Sequence, residues 1–276
     1  ELVQKSIRAT ENYTEQFNFG LLPTKDILKF FVADFFGSPI TRNYWGFLNY
    51  PETSGFVGTL TLPLIIFSCI YLKRTKISIF FQITLLFSLL LAFDNPISQT
   101  IYKNKIPLLT SSYASRMLFI TTFSISVLSA FSLNQILNKK EISKLIKSVI
   151  YSIATLIGVL IGSFVACKMI QQIIKTATSK FYLNYYLKDA DYALSNFMIS
   201  WRNIIGPMML VCLLLVSLLI IKKINLKSFL NIKIYLVGIL LLVIITLDLG
   251  RYFLKFNPFV SQELAFPKIA TLTYLQ

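Results

Sequence analysis

Hydrophobic positions along this chain do not alternate with polar ones; they gather into six long runs, at about 56–72, 78–93, 116–137, 145–169, 203–221 and 234–250, separated by short polar stretches. Apolar runs of roughly 17 to 25 residues have the length of helices that cross a hydrocarbon layer about 30 Å thick. A chain inside a bilayer must satisfy its backbone groups internally, and the two-residue alternation of barrel strands is missing here, so helices remain. The pattern predicts an all-α, polytopic transmembrane bundle of about six spans.

The stretches between the runs carry their own signals. In 24–36, Ile27, Leu28, Phe30, Phe31 and Val32 crowd between Lys25, Asp26, Lys29 and Asp34, which is too short and too charged to span. An interfacial or re-entrant helix with Thr24 as N-cap is predicted there, followed by a loop at 37–39. Tyr44, Trp45 and Tyr50 mixed with Gly46, Pro51 and Gly55 suit an ordered loop at headgroup level. Near 171–202, Phe181, Tyr182, Tyr185, Tyr186, Tyr192, Phe197 and Trp201 recur at near-helical spacing, predicting a second interfacial helix. An aromatic belt explains that spacing, and a platform for sugar rings competes with it. The chain thus divides into an outer segment at 1–55, the six-span region at 56–250 and the start of another outer segment at 251–276.

Two patterns inside the runs predict packing. Ala154, Gly158, Gly162 and Ala166 repeat every fourth residue, a small-residue stripe expected to face another helix of the bundle. Thr121, Thr122, Ser124, Ser126, Ser129 and Ser132 give the third run hydroxyls that can bond their own helix carbonyls or a neighbour.

Composition strengthens the membrane assignment: of the 276 residues 55% are hydrophobic and only 14% charged, with a mean hydropathy of +0.66. The formal charge of +15 is not a nucleic-acid surface, because the basic residues punctuate the runs instead of covering a soluble face. Lys73, Arg74 and Lys76, then Lys139, Lys140, Lys144 and Lys147, then Lys222, Lys223, Lys227 and Lys233 occupy three short loops, opposed by Glu141 alone. That bias marks these loops as cytoplasmic and places both ends of the chain outside. There is no histidine, and Cys69, Cys167 and Cys212 match no metal or disulfide spacing, so they read as small apolar side chains. The chain begins at Glu1 without a methionine or a leading span and is expected to be a piece from the middle of a larger protein.

Ionisable residues at the ends of runs are the candidates for chemistry. Glu52, Asp94, Arg116, Arg202, Asp248 and Arg251 all fall on the outer side of this map, where charge is costly unless it is paired or lines an aqueous cavity. Helix-end ion pairing accounts for each one singly, and their gathering on one side is what suggests a site. No phosphate-binding loop, metal cluster or Ser/His/Asp arrangement accompanies them, so no cofactor is implied and a divalent metal is left open. A membrane enzyme of this kind would draw its activated group from a lipid, presenting a phosphate leaving group to arginines.

Four segments resemble the YfhO family of bacterial membrane proteins, multi-span glycosyltransferase-like proteins of the GT-C architecture. They are Pro23-Thr24-Lys25-Asp26-Ile27-Leu28 with Asp34-Phe35-Phe36-Gly37; Tyr44-Trp45-Gly46 with Glu52 and Gly55-Phe56-Val57-Gly58; Ile106-Pro107 with Ser115-Arg116; and Asp248-Leu249-Gly250-Arg251 with Asn257-Pro258 and Phe266-Pro267. The resemblance implies transfer of a sugar from a polyprenyl-phosphate carrier to a cell-envelope glycan acceptor at the outer face of the bacterial cytoplasmic membrane. It also implies a catalytic acid in an outer loop ahead of Glu1, so no catalytic residue is assigned within the chain. Arginines would hold the carrier phosphate, and Glu52 or Asp94 would orient the acceptor. The competing readings are a transporter or flippase of a lipid-linked or anionic solute, and a non-catalytic membrane scaffold.

Overall fold

In the computed structural model, which describes residues 20–47, 50–104, 113–177, 183–223 and 230–257, the apolar runs are helical, and the strand character among these residues is one bridge between Leu22 and Phe93. The α-helices are α1 (Tyr50–Thr53), α2 (Thr61–Tyr71), α3 (Lys76–Ala92), α4 (Pro96–Lys103), α5 (Leu118–Lys139), α6 (Ile142–Ala177), α7 (Leu183–Lys223) and α8 (Leu230–Phe256), with 3-10 helices at Thr24–Phe30 and Ala114–Met117. Local chemistry sets several starts. Thr75 and Ser78 form a capping box at α3, and Asn95 and Ser98 form another at α4, where Pro96 supplies the first helical residue.

Four segments are each long and apolar enough to cross a membrane: Ala114–Lys139, Ile142–Met169, Leu194–Lys223 and Ile234–Phe256. The first two runs of the sequence differ from expectation. They form a pair, α2 and α3, bent by 119° at the 72–75 break. Residues 54–58 are not helical, so α2 keeps only 11 residues, about 16 Å and half of a hydrocarbon layer. The pair returns to the end it left, because the Val57 N–H donates to the Phe30 carbonyl at 3.0 Å while the Phe30 and Phe93 rings lie 6.3 Å apart.

The expected interfacial helix near 171–202 is also replaced. α7 runs unbroken for 41 residues and α6 for 36, about 62 and 54 Å, so this antiparallel pair extends past its own apolar segments. Of the aromatic series, Phe197 meets Phe164 at 5.6 Å and Trp201 at 6.2 Å, inside that pair. Phe181, Tyr182 and the side chains of Tyr185, Tyr186 and Tyr192 lie outside the described residues, as do 1–19, Ile106-Pro107, Lys227 and 258–276. α8 passes through position 250 without a break.

The core is a set of seams. On α7 Ile204, Val211, Leu214 and Leu218 are buried, and on α8 Val237, Leu241 and Ile244; with Leu145, Val149 and Leu156 of α6 and Leu64 and Phe67 of α2 they make one cluster. Spacings of three and four residues bring each seam to one helix face. The hydroxyls of α5 bond largely within their own helix, and Thr121 reaches across to Ser88 of α3 at 2.9 Å.

At the end where the basic loops gather, Gln135 is the tie. Its Nε2 donates to the Tyr71 carbonyl and to Glu141, both at 2.9 Å, and its Oε1 accepts from the Lys73 N–H at 2.8 Å. Partial desolvation pushes the Glu141 carboxyl up, but hydrogen bonds from Lys144 and Gln135 and the charges of Lys144 and Lys139 outweigh it and hold the group below its ordinary value.

The small-residue stripe does not pack as expected. Ala154, Gly158, Gly162 and Ala166 are all exposed, and a Cβ built at Gly158 or Gly162 meets nothing within 4 Å. The face of α6 that packs carries Ser148, Val149, Ser152, Leu156 and Leu160 instead, because interdigitating side chains fill that seam. Gly158→Leu and Gly162→Leu are therefore expected to leave thermal stability in detergent unchanged or raised, since glycine inside a helix is about 1 kcal/mol less favourable than alanine. A large loss of stability in either variant would restore the stripe to a packed interface.

Candidate functional site

On α8 the buried positions step through Ile234, Val237, Leu241 and Ile244, and the next place in that rhythm is Asp248. Helical geometry thus turns a carboxylate onto the packed face, where it is 3% exposed. Its Oδ2 accepts the Thr59 N–H at 2.8 Å, so it serves the donors just ahead of α2 from 189 positions away in sequence. Gly58 allows this approach: its φ is +94°, a left-handed backbone that side chains resist, and Asp248 Oδ2 would stand 3.9 Å from an added Cβ.

Asp248 Oδ1 has no hydrogen-bond partner. One turn on, Nη2 of Arg251 lies 3.7 Å from it, an ion pair that is too long for a hydrogen bond. The Arg251 side chain is 60% exposed. A buried negative charge thus anchors a guanidinium whose donors face outward, an arrangement that can accept a phosphate or carboxylate in bidentate fashion.

The other sequence candidates lie at the same end of the bundle but around it. Glu52 sits on α1, which packs against the Ala114–Met117 turn carrying exposed Arg116. Asp94 is exposed and accepts from Gln99 Nε2 at 2.9 Å. Arg202 is exposed on α7, flanked by Ser200 and Asn203, which donate to the Phe35 and Asp34 carbonyls. Asp248 and Arg251 are brought into contact.

The polar centre of this end lies elsewhere. Residues 20–47 and 50–60 fold across it as an irregular cap, and the expected helix is a 3-10 helix whose N-cap is Pro23, with no side-chain cap from Thr24. Its Lys29, 3% exposed, donates to Asp26 Oδ2 at 2.9 Å, Tyr44 Oη at 3.0 Å and Thr53 Oγ1 at 2.8 Å, which uses all three ammonium protons. Burial pushes the Asp26 carboxyl above its ordinary value, while the Lys29 charge and hydrogen bond and the Lys25 charge pull it back.

A second cluster ties the cap to the bundle. Asp34 accepts from Tyr50 Oη at 2.8 Å and from Lys255 Nζ at 2.6 Å, and the Tyr50 ring stacks on Phe256 with centroids 5.3 Å apart. Burial, hydrogen bonding with Tyr252 and the Asp34 charge all raise the Tyr50 hydroxyl, which stays a donor. Sequence reasoning takes Asp26, Lys29 and Asp34 only as charges that keep 24–36 from spanning, and assigns them no partners. The available signal was their interleaving with Ile27, Leu28, Phe30 and Phe31, which would turn some charges inward in any folded form.

Among the described residues no group of three His, Cys, Asp or Glu side chains is placed to hold a metal ion. No family model, curated protein or solved structure matches the chain. The fold and this end of it define a class: an integral membrane protein with an all-α bundle, closed at one end by an irregular cap with a polar centre.

Lys29→Met is expected to lower stability by about 3 to 5 kcal/mol, because it strands the Asp26 carboxylate in a buried site. Asp26→Asn is expected to cost less, about 1 to 2 kcal/mol, because burial already disfavours the ionised carboxyl and the amide keeps an acceptor for Lys29. Thermal unfolding in detergent measures both. An Asp26→Asn loss as large as that of Lys29→Met would reverse the assigned balance between burial and ion pairing.

Proposed function

We propose that this chain is the membrane-embedded part of a transferase that moves a sugar from a polyprenyl-phosphate carrier to a cell-envelope glycan, with the reaction at the capped end. The observation that carries this reading is the Asp248–Arg251 pair. Its carboxylate is buried and committed to Thr59, while its guanidinium is exposed beside the cap. In such a transfer the acceptor oxygen bonds to the anomeric carbon as the bond from that carbon to the phosphate oxygen breaks, and negative charge grows on the leaving phosphate. A fixed guanidinium stabilises that charge more in the transition state than in the ground state. Arg116 and Arg202, exposed at the same end, extend the positive field, and Glu52 or Asp94 would orient the acceptor. Support also comes from the segments resembling the YfhO family, since Glu52, Gly58, Arg116, Asp248 and Arg251 belong to them.

The orientation follows from charge. The basic loops face the cytoplasm by the positive-inside rule, which puts the cap on the outer face of a bacterial cytoplasmic membrane. With the native cysteines replaced, an impermeant thiol reagent on intact cells is expected to label a cysteine at position 42 in the cap and spare one at position 139. The opposite result would invert the assignment.

One feature favours a transporter as the second reading: α2 begins only at Thr61, after the irregular, buried segment at 57–60, and broken helices often form substrate sites in transporters. Binding separates the possibilities. Arg251→Lys keeps the charge but loses the fork, so affinity for a polyprenyl phosphate is expected to fall about tenfold, the effect of one charge-assisted hydrogen bond. Affinity for the uncharged polyprenol should not change. Stability should also hold, because lysine keeps a positive charge one turn from Asp248 and the Thr59 hydrogen bond is untouched. Equal binding of polyprenyl phosphate by parent and variant would remove Arg251 from the site, and vectorial movement of the carrier in vesicles without sugar transfer would favour the transporter.

A further inference from the structure

At the end opposite the cap, α5 and α8 diverge and leave a groove of about 610 Å³. Leu133 and Leu137 form one wall, Ile239 and Leu242 the other, and Gly238 keeps the floor low. A Cβ at Gly238 would stand 3.6 Å from the Leu137 methyl carbons, so larger side chains there would fill the space. The mouth is polar: Asn138, Lys140 and Tyr235 line it, and Tyr235 is 70% exposed. Lys140 ends α5 with a left-handed φ of 58°, which turns the chain sharply at the rim. On the other flank of α5 a smaller cavity of about 210 Å³ is lined by Lys73, Lys139 and the same Asn138. Glu141, the nearby acid, is engaged by Lys144 and Gln135 and lines neither cavity.

We infer that the α5–α8 groove binds an anionic glycerophospholipid of the surrounding bilayer. One acyl chain lies along the leucine and isoleucine walls, and the headgroup phosphate meets Lys140, Asn138 and Tyr235 at the mouth. Charge selects this occupant. A zwitterionic lipid would bring its own cation to a rim that already carries Lys140, with Lys139 next to it in sequence on the other flank of α5, whereas an anionic headgroup adds none. A protein helix seated in the groove would cover Lys140 without a partner charge, which is unfavourable in an apolar setting. The groove lies away from Arg251 and is independent of the reading given to the capped end.

Tyr235→Trp places a fluorescent reporter at the mouth, with the native Trp45 and Trp201 at the other end of the bundle. In vesicles of phosphatidylcholine containing equal mole fractions of either brominated phosphatidylglycerol or brominated phosphatidylcholine, the anionic lipid is expected to quench the added Trp with about fivefold higher apparent affinity, the effect of one lysine at a membrane surface. Adding Lys140→Gln and Lys139→Gln should abolish that preference, and Gly238→Phe should reduce quenching by both lipids. Native mass spectrometry of the unsubstituted chain, comparing retained phosphatidylglycerol with retained phosphatidylcholine, gives the same readout if the reporter variant does not fold. Equal quenching and equal retention of the two lipids, or a preference that survives loss of both lysines, overturns the proposal in favour of unselective contact with the bilayer.

Discussion

The ammonium group of Lys29 is the constraint around which the capped end is built. Once a lysine is sealed to 3% exposure, each of its protons needs an acceptor, and the three it finds come from separate pieces of chain: Asp26 in the 3-10 helix, Tyr44 in the loop and Thr53 in α1. Satisfying one group therefore fixes the mutual positions of three irregular segments that have few repeating backbone bonds of their own. Pairs of this kind add little net stability compared with apolar packing, but removing one partner is severe. Their effect here is to select one arrangement of the cap among many.

That arrangement decides where the first membrane pass can begin. With Val57 bonded to Phe30 and Thr59 Oγ1 bonded to the Phe31 carbonyl, residues 57–59 are drawn into the cap and cannot join a helix. α2 must start below them, at Thr61. Asp248 accepts the Thr59 N–H just ahead of the helix, and the positive end of the α2 dipole lies near its carboxyl group. The buried carboxylate and the half-length helix follow from one cap geometry, whereas the 119° bend lies at the other end of α2, where Gln135 holds the Tyr71 carbonyl and the Lys73 N–H.

Regular parts of this fold were legible because their signal is repetitive. Four long apolar runs became four long helices, and the loops rich in lysine came to one end, because span length and charge bias each sum over many residues. The bent pair was misread, since the hydropathy of 56–60 resembles that of a helix while its backbone is set by tertiary hydrogen bonds. Partners for Asp26 and Lys29 stayed unassigned for a related reason: local polarity says nothing about a partner at Thr53, 24 positions away from Lys29. Asp248 could have been placed on the packed face from the seam spacing of α8 alone. The exposed stripe on α6 shows the limit of such reasoning, because small residues permit close packing without requiring it.

At the candidate site, structure and chemistry are divided between two neighbouring residues. Asp248 is bound to the fold through Thr59, so any change to it disturbs the start of α2 before it touches a ligand. Arg251 has the opposite character: one long ion pair holds it, and most of its side chain is exposed. A guanidinium roughly aimed by a buried carboxylate, but not saturated by it, has donors available to an incoming anion at little reorganisation cost. The orphan oxygen of Asp248 makes that possible. Asp248 answers the Thr59 N–H through Oδ2 and stands 3.7 Å from the guanidinium through Oδ1, so it takes none of the arginine's five N–H donors in a hydrogen bond.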